Sequence, residues 1–176
     1  MILVTRYHHK IVVRTLLYLL KTYRMNHFAV SASMRPTMKP PLTNPTDESF
    51  EFVFVYGTLK QGHQRNHVLA DQSYLGSATT TADYRMYDLG DYPGLVEVDP
   101  SCGVQVQGEI YRVDQTCLRL LDQIEAVDQG LYQRREIRVE PDLATFDPRL
   151  ISADVCVVAY FYLNGIVGCS DCGDCW

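Results

Sequence analysis

The sequence predicts an α+β fold built around a mixed or antiparallel sheet that can curl into a small barrel. Three observations predict it. Strand-like segments dominate, only one segment has clear helical periodicity, and strands and helices do not alternate in a βαβ rhythm. With 176 residues the chain is long enough for one domain with its own core, plus extensions.

The predicted domain begins with strands. Residues 51–55 are almost continuously apolar, as expected for a strand that is buried on both faces. A short helix or turn follows at 62–72. The Thr- and Tyr-rich segment 73–87 then predicts one long strand or a bent pair.

The middle of the chain predicts a β-hairpin. Residues 91–94, in which a proline precedes a glycine, are typical of a turn. Strand-like segments follow at 95–98 and 104–113, and apolar and polar residues alternate in the second, as in a strand with one buried face. Residues 99–103 are expected to join these two strands directly.

The strongest helix prediction covers residues 114–126. Asp114 can cap the first turn, because its carboxylate can accept hydrogen bonds from the free backbone amides there. Apolar side chains recur at helical spacing and form one face of this helix. They are Cys117, Leu118, Leu120, Leu121 and Ile124. Two further strands are predicted at 132–140 and 154–163.

The chain before the predicted domain, which we place at 51–165, has a different composition. Residues 1–46 contain seven basic residues and no acidic one, and the Pro-rich run 36–45 is typical of a linker. We expect residues 1–50 to be a non-catalytic extension, either an organelle transit peptide or an over-long start before a later methionine. The expected location is the cytoplasm, or an organelle if the extension is a transit peptide.

Charge and hydropathy argue against two classes of partner. The residues after 46 hold nine basic against 21 acidic groups, a net charge of −12, and so acidic a body does not suit a nucleic-acid binder. The apolar run 11–20 contains Arg14 and is far shorter than the ~20 residues that span a bilayer. We therefore expect no nucleic-acid partner and no membrane span.

The six cysteines do not form the pattern of a secreted disulfide framework. Three are scattered through predicted strands or the helix, where a free cysteine acts as a small apolar residue. These are Cys102, Cys117 and Cys156. The tail 166–176 carries Cys169, Cys172 and Cys175 at metal-ligand spacing, but structural zinc needs four ligands. We expect a disordered, thiol-bearing tail, with a metal or redox role as the alternative.

Glu125 is the first candidate functional residue. On a helical wheel at about 100° per residue, it falls at the edge of the face that carries Leu118 and Leu121. Burial there would disfavour its charged form and raise its pKa, which suits a residue that shuttles protons near neutral pH. The alternative is a helix-end glutamate that reaches solvent or pairs with Arg134 or Arg135.

The turn Tyr56-Gly57-Thr58-Leu59 is the second candidate, since it follows the first strand directly. Gly57 lets the backbone turn sharply and approach a ligand. Backbone amides at such a strand end can hold a carboxylate or an oxyanion. Tyr56 can add an aromatic wall and Thr58 a hydroxyl. The alternative is a glycine turn with a purely structural role.

These two features belong to a series of motifs that extends over residues 52–162. In order they are Val55-Tyr56-Gly57-Thr58-Leu59-Lys60 with Gly62 and Asn66-His67, then Tyr92-Pro93-Gly94-Leu95, Gly108-Glu109-Ile110-Tyr111, Leu121-Asp122-Gln123-Ile124-Glu125 and Tyr132-Gln133-Arg134. On these motifs the chain resembles the gamma-glutamylcyclotransferase-like proteins, most closely the gamma-glutamylamine cyclotransferase branch.

The resemblance implies a small mixed β-barrel flanked by helices. It implies that a γ-glutamyl small molecule is the substrate, that 5-oxoproline is released, and that no metal or cofactor is needed. In this chain Tyr56, Gly57, Thr58 and Leu59 would bind the glutamyl group, and Glu125 would be the catalytic proton acceptor.

Four further residues lie in or next to these motifs. Tyr132 and Arg134 alternate on one predicted strand, so both would share a face and either line the pocket or pair with Glu125, unless their role is structural. His63 and His67 follow the turn without a third metal ligand nearby, so we expect them at the surface or in packing.

Two further functions compete with the cyclotransferase. One is a non-catalytic domain of the same fold that binds an amino-acid-like ligand. The other is an enzyme of the same chemistry that removes a γ-glutamyl protecting group during biosynthesis. The presence of both the turn and Glu125 favours an enzyme, while the leaving amine and the oligomeric state stay open.

Overall fold

The computed structural model of the chain describes residues 49–142, 144–145 and 155–176. Residues 1–48, with the predicted Pro-rich linker, lie outside the described residues. Among the described residues, no helix is long and apolar enough to cross a bilayer.

Nine strands, one α-helix and two short 3-10 turns make up the described part of the chain. In chain order the strands are β1 Phe50–Val55, β2 Ser73–Thr80, β3 Tyr84–Asp88, β4 Pro93–Glu97, β5 Gln107–Asp114, β6 Tyr132–Glu136, β7 Val139–Pro141, β8 Val157–Tyr162 and β9 Ser170–Gly173. The helix, α1, spans Gln115–Ile124, and the 3-10 turns span Asn66–Leu69 and Val127–Gln129.

The strands form two sheets. The larger sheet has the order β6-β8-β1-β5-β2-β7, and the smaller sheet has the order β4-β3-β9. Strand β1 runs parallel to β8, whereas its pairing with β5 and the other pairings are antiparallel. The predicted α+β class with a mixed sheet is therefore confirmed. Within the described residues, β6 and β7 lie at opposite edges and do not pair, so the sheet stays open.

The predicted hairpin between 95–98 and 104–113 is wrong. The turn forms, since the amides of Cys102 and Gly103 both donate to Asp99 O, but β4 pairs with β3 and β5 pairs with β1 and β2. At Gly103 a Cβ would lie 2.3 Å from Ala82 O. This close approach directs the chain toward β3, where Val104 bridges to Tyr84.

Two predicted strands are each divided in the structure. The segment 73–87 is the bent pair, with β2 in the large sheet and β3 in the small one. The segment 132–140 separates into β6 and β7, which lie at opposite edges of the large sheet. Between them Ile137 is buried and donates its amide to Val157 O.

The prediction of a disordered C-terminal tail is wrong. Residues 170–173 form β9 and pair with β3, and Gln107 N donates to Asp174 O at 2.7 Å. Cys172 and Trp176 pack against the core, so buried apolar side chains and backbone pairing hold the segment. No group of three or more His, Cys, Asp or Glu residues in the described ranges is placed to hold a metal.

The helix lies against one face of the large sheet. Val53 and Val55 point to that face and pack in one cluster with Leu118 and Leu121, while Phe54 belongs to the cluster on the other face. The predicted cap is confirmed, because the carboxylate of Asp114 accepts hydrogen bonds from the amides of Thr116 and Cys117, both at 2.8 Å. The packing of α1 brings its C-terminal end next to the end of β1.

Candidate active site

One pocket is formed where β1 ends and α1 ends. Its lining residues are Phe54, Val55, Tyr56, Gly57, Thr58, Leu59, Pro93, Glu125 and Tyr160. It encloses about 340 Å³ of empty space, a figure that includes open solvent at its mouth. The turn and the glutamate that the sequence singles out thus line the same cavity.

Gly57 allows the backbone of the turn to pack directly against Pro93. A Cβ on Gly57 would lie 2.5 Å from Cγ and 2.8 Å from Cδ of Pro93. Non-bonded carbon atoms are optimally separated by about 3.5–4.0 Å, so a side chain does not fit. A glycine is needed here because the backbone of the turn approaches the proline ring so closely.

The turn after β1 presents backbone donors. The amide of Lys60 donates to Gly57 O at 3.0 Å and closes the turn, and Thr58 O accepts from Arg65 N at 2.9 Å. In the part of the chain that the structure describes, no group accepts from the amides of Gly57, Thr58 or Leu59. Adjacent unpaired amides of this kind are typical of sites that hold a carboxylate or a developing oxyanion.

Glu125 is the last residue with helical hydrogen bonding. Its amide donates to Leu121 O at 2.9 Å, and Ala126 then takes a left-handed conformation with φ of 50°, which ends the helix. Glu125 is half-buried. Its carboxyl group makes no hydrogen bond or ion pair with another described residue.

The surroundings of Glu125 change its acidity. Burial raises its pKa from 4.5 to about 7, and the positive charge of Arg65 acts in the opposite direction. Burial disfavours the charged carboxylate. This effect is the larger of the two, because Arg65 forms no ion pair with Glu125. A carboxyl group with this pKa can both accept and donate a proton near neutral pH.

Tyr56 lines the pocket, and its hydroxyl is hydrogen-bonded within the protein. Its hydroxyl donates to Tyr160 O at 2.6 Å. Burial, and then the charge of Glu125, raise the pKa of Tyr56 well above its ordinary value. The phenol therefore stays neutral and ties the turn to β8.

Tyr132 and Arg134 are not among the residues that line the pocket. Tyr132 instead holds a lining residue in place, since its hydroxyl donates to Pro93 O at 2.7 Å. Arg134 pairs with Asp122 rather than Glu125, and its Nη1 lies 2.9 and 3.0 Å from the two carboxylate oxygens. Arg135 forms its ion pair with Glu97.

Asp122 connects the helix to the pocket wall. Its Oδ1 accepts a hydrogen bond from the hydroxyl of Tyr160 at 2.8 Å in addition to the contact with Arg134. Asp122 lies one helical turn before Glu125, so this network fixes the end of α1 that carries the glutamate. Sequence analysis missed the network, because nothing local indicates that Tyr160 lies opposite Asp122.

Arg65 was also missed as a site residue. Pro93 was not, since the sequence offers the turn Tyr92-Pro93-Gly94-Leu95 as a rim over the site, although a structural role was the stronger expectation. Arg65 had no such signal, because it stands in a polar segment between two motifs. Of the two histidines near the turn, His67 is exposed, and its Nδ1 lies 3.1 Å from Gln64 O.

The chain is similar to proteins of a known family. Residues 53–169 match the family model described as gamma-glutamyl cyclotransferase, AIG2-like. A protein of Homo sapiens named gamma-glutamylaminecyclotransferase is 41% identical over 96 residues, which cover 50% of this chain and 61% of that protein. The chain spans about three fifths of the length of the curated relatives it matches.

Two solved structures have a similar fold. An AIG2-like protein from Mus musculus superposes with a TM-score of 0.52 at 29% sequence identity, over 66% of this chain and 78% of that one. The protein ytfP from Escherichia coli superposes with a TM-score of 0.51 at 28% identity, over 71% of this chain and 95% of that one.

Proposed function

The chain belongs to the gamma-glutamyl cyclotransferase, AIG2-like family, and on that premise we propose that it is a γ-glutamyl cyclotransferase. It acts on a γ-glutamyl amine or a γ-glutamyl amino acid and releases 5-oxoproline and the free amine. The observation that carries the proposal is that one pocket is lined both by the turn with unpaired amides and by Glu125.

The reaction is an internal acyl transfer. The α-amine of the substrate attacks its own γ-carbonyl carbon, and the new C–N bond closes a five-membered lactam. The bond from the γ-carbon to the leaving amine then breaks. Because nucleophile and carbonyl belong to one molecule, their effective concentration is already high, and the enzyme needs to supply proton transfer and charge stabilisation.

Glu125 is the proposed proton carrier. As a carboxylate it takes the proton that the attacking amine loses, and as a carboxylic acid it gives that proton to the departing amine. Its pKa of about 7 suits both steps. Its lack of a partner among the described residues leaves the carboxyl group available to the substrate.

The turn is the proposed anion site. The amides of Gly57, Thr58 and Leu59 can hold the substrate carboxylate or the oxyanion that develops on the γ-carbonyl oxygen. The chemistry requires no nucleophilic side chain, since the substrate supplies the nucleophile itself.

The test is 5-oxoproline release from a panel of γ-glutamyl compounds by the wild type and by Glu125→Gln. We expect release by the wild type and a loss of roughly 10²- to 10⁴-fold in the variant, the usual size for a general acid or base. Glu140→Gln, an exposed Glu-to-Gln change on β7, is the matched control. Equal rates for wild type and a folded Glu125→Gln would contradict the role of Glu125.

The pH dependence gives an independent check. The proton acceptor must be ionised in the free enzyme, so kcat/KM should rise with pH through about 7. A profile that is flat between pH 5 and 9 would exclude this acceptor. No release from any compound, combined with binding to the folded protein, would favour the non-catalytic binding domain.

A further inference from the structure

Arg65 lies beside the pocket and is tied to both of its walls. Its backbone amide donates to Thr58 O at 2.9 Å, which fixes it to the turn. Its guanidinium carbon lies 5.9 Å from the ring centroid of Tyr92, the residue before Pro93. Its charge also reaches Glu125, whose pKa it lowers against the effect of burial. The turn, β4 and the end of α1 therefore all meet near this side chain.

The guanidinium of Arg65 has no anionic partner of its own in the described part of the chain. The arginines that form ion pairs there are Arg85, Arg134, Arg135 and Arg138. Arg65 is half-buried, yet its side chain donates no hydrogen bond to another described residue. Five N–H donors in a planar fork match a carboxylate, and such donors are usually satisfied in a folded protein.

The position of Arg65 indicates which part of a substrate it meets. The turn and Glu125 line the pocket, and the proposed function places the glutamyl group there. Arg65 is not among the lining residues, and both it and Tyr92 are half-exposed beside them. With the glutamyl group in the pocket, as the proposed function has it, the leaving amine is the part of the substrate that can reach this pair.

We propose that Arg65 is a specificity-determining residue that pairs with a carboxylate carried by the leaving amine, so that the protein prefers γ-glutamyl amino acids to γ-glutamyl amines without that carboxylate. This inference rests on the proposed function, because it names the substrate class of the same site. The ring of Tyr92 contacts the guanidinium of Arg65 through a cation–π interaction. Because this contact already restricts the Arg65 side chain, the side chain loses less conformational entropy when it binds the substrate carboxylate.

The experiment compares two substrates that differ only in the group that Arg65 would bind. They are γ-glutamyl-L-alanine and γ-glutamyl-L-alaninamide, in which a neutral amide replaces the carboxylate. A charge-assisted hydrogen bond contributes enough to change kcat/KM roughly ten- to a hundredfold. In Arg65→Gln we expect the ratio of the two kcat/KM values to fall by about that factor, and in Arg65→Lys by less.

The ratio cancels any effect of Arg65 on the pKa of Glu125, since that effect is common to both substrates. Arg119→Gln is the matched control, because Arg119 is exposed on α1 and donates to Thr116, away from the pocket. A ratio that Arg65→Gln leaves unchanged overturns the inference. This includes the case in which both substrates lose activity equally, which would assign Arg65 to the glutamyl group instead.

Binding separates this inference from the proposed function. If the wild type releases no 5-oxoproline, calorimetry with the Glu125→Gln protein measures affinity for the same two compounds. A preference for the alanine compound that disappears in the Glu125→Gln/Arg65→Gln double variant upholds the role of Arg65 without catalysis. Absence of that preference, or no binding of either compound, overturns it.

Discussion

Replacing Glu125 by glutamine should stabilise the fold at neutral and alkaline pH while it removes activity. The carboxyl group holds its proton more tightly in the folded protein, where its pKa is about 7, than at the ordinary value of 4.5. Below pH 4.5 the group is protonated in both the folded and the unfolded state and does not affect the free energy of unfolding. As the pH rises from 4.5 to 7, the unfolded state loses the proton first, so the free energy of unfolding falls. Glutamine has nearly the same shape and does not titrate.

The size of the effect follows from the two pKa values. The free energy of unfolding falls by about 1.4 kcal/mol for each pH unit between them, and so by about 3 kcal/mol in all. Glu125 is half-buried, and water that reaches the carboxyl group reduces the difference. We expect Glu125→Gln to be more stable than the wild type by about 1–3 kcal/mol at pH 8 and nearly equal to it at pH 4.5.

Urea denaturation at pH 4.5, 6 and 8 measures this difference directly. Glu140→Gln controls for the loss of one negative charge, because Glu140 is exposed, and it should show no comparable change with pH. A difference between Glu125→Gln and wild type that stays constant from pH 4.5 to 8 would refute the reasoning, since it would mean that burial does not shift the acidity of Glu125.

Two neighbouring groups give further predictions. Gly57→Ala places a methyl group against the ring of Pro93, so we expect a loss of about 1–3 kcal/mol in unfolding free energy and a marked fall in 5-oxoproline release. Asp122→Asn weakens the bonds to Arg134 and Tyr160 and should cost about 1–2 kcal/mol, with a several-fold lower kcat as Glu125 loses its fixed position. Tyr160→Phe removes only one of those bonds and should have a smaller effect.

The Gly57 and Asp122 variants each have a matched control. Gly165→Ala adds a methyl group where no atom lies within 4 Å and should be neutral in both assays. Asp71→Asn removes a carboxylate from an exposed position and should leave kcat unchanged. If Gly57→Ala behaves like Gly165→Ala, the turn is not held against Pro93 as described. If Asp122→Asn keeps the wild-type kcat, the network does not position the helix end.

Local signals were sufficient for the helix and its neighbours. The apolar face of α1 and the capping role of Asp114 depend on residues a few positions apart, which is the range over which periodicity and capping act. The same holds for the first strand and the glycine turn that follows it. These elements lie near the positions that the sequence predicts, and both candidate site segments belong to them.

Long-range pairing was not predictable in the same way. The turn at 99–103 resembles a hairpin connection, yet β4 pairs with β3 and not with β5. After the turn, the chain passes close to Ala82 at Gly103 and does not run back along β4. The tail looks polar and flexible in sequence, yet β3 supplies an open edge for β9. In both cases the outcome depends on which strand edge is free after the rest of the fold has formed.

The sequence by itself determined the α+β class and the capped helix, and it singled out two segments as candidates for an acid/base and an anion site. Only the tertiary structure decided that these segments share a pocket and that Arg134 pairs with Asp122 and not with Glu125. It also placed Arg65 close enough to influence Glu125, but in no ion pair with a described residue. The physical reason is that helix and turn form from neighbouring residues, whereas burial and charge pairing depend on residues brought together from distant parts of the chain.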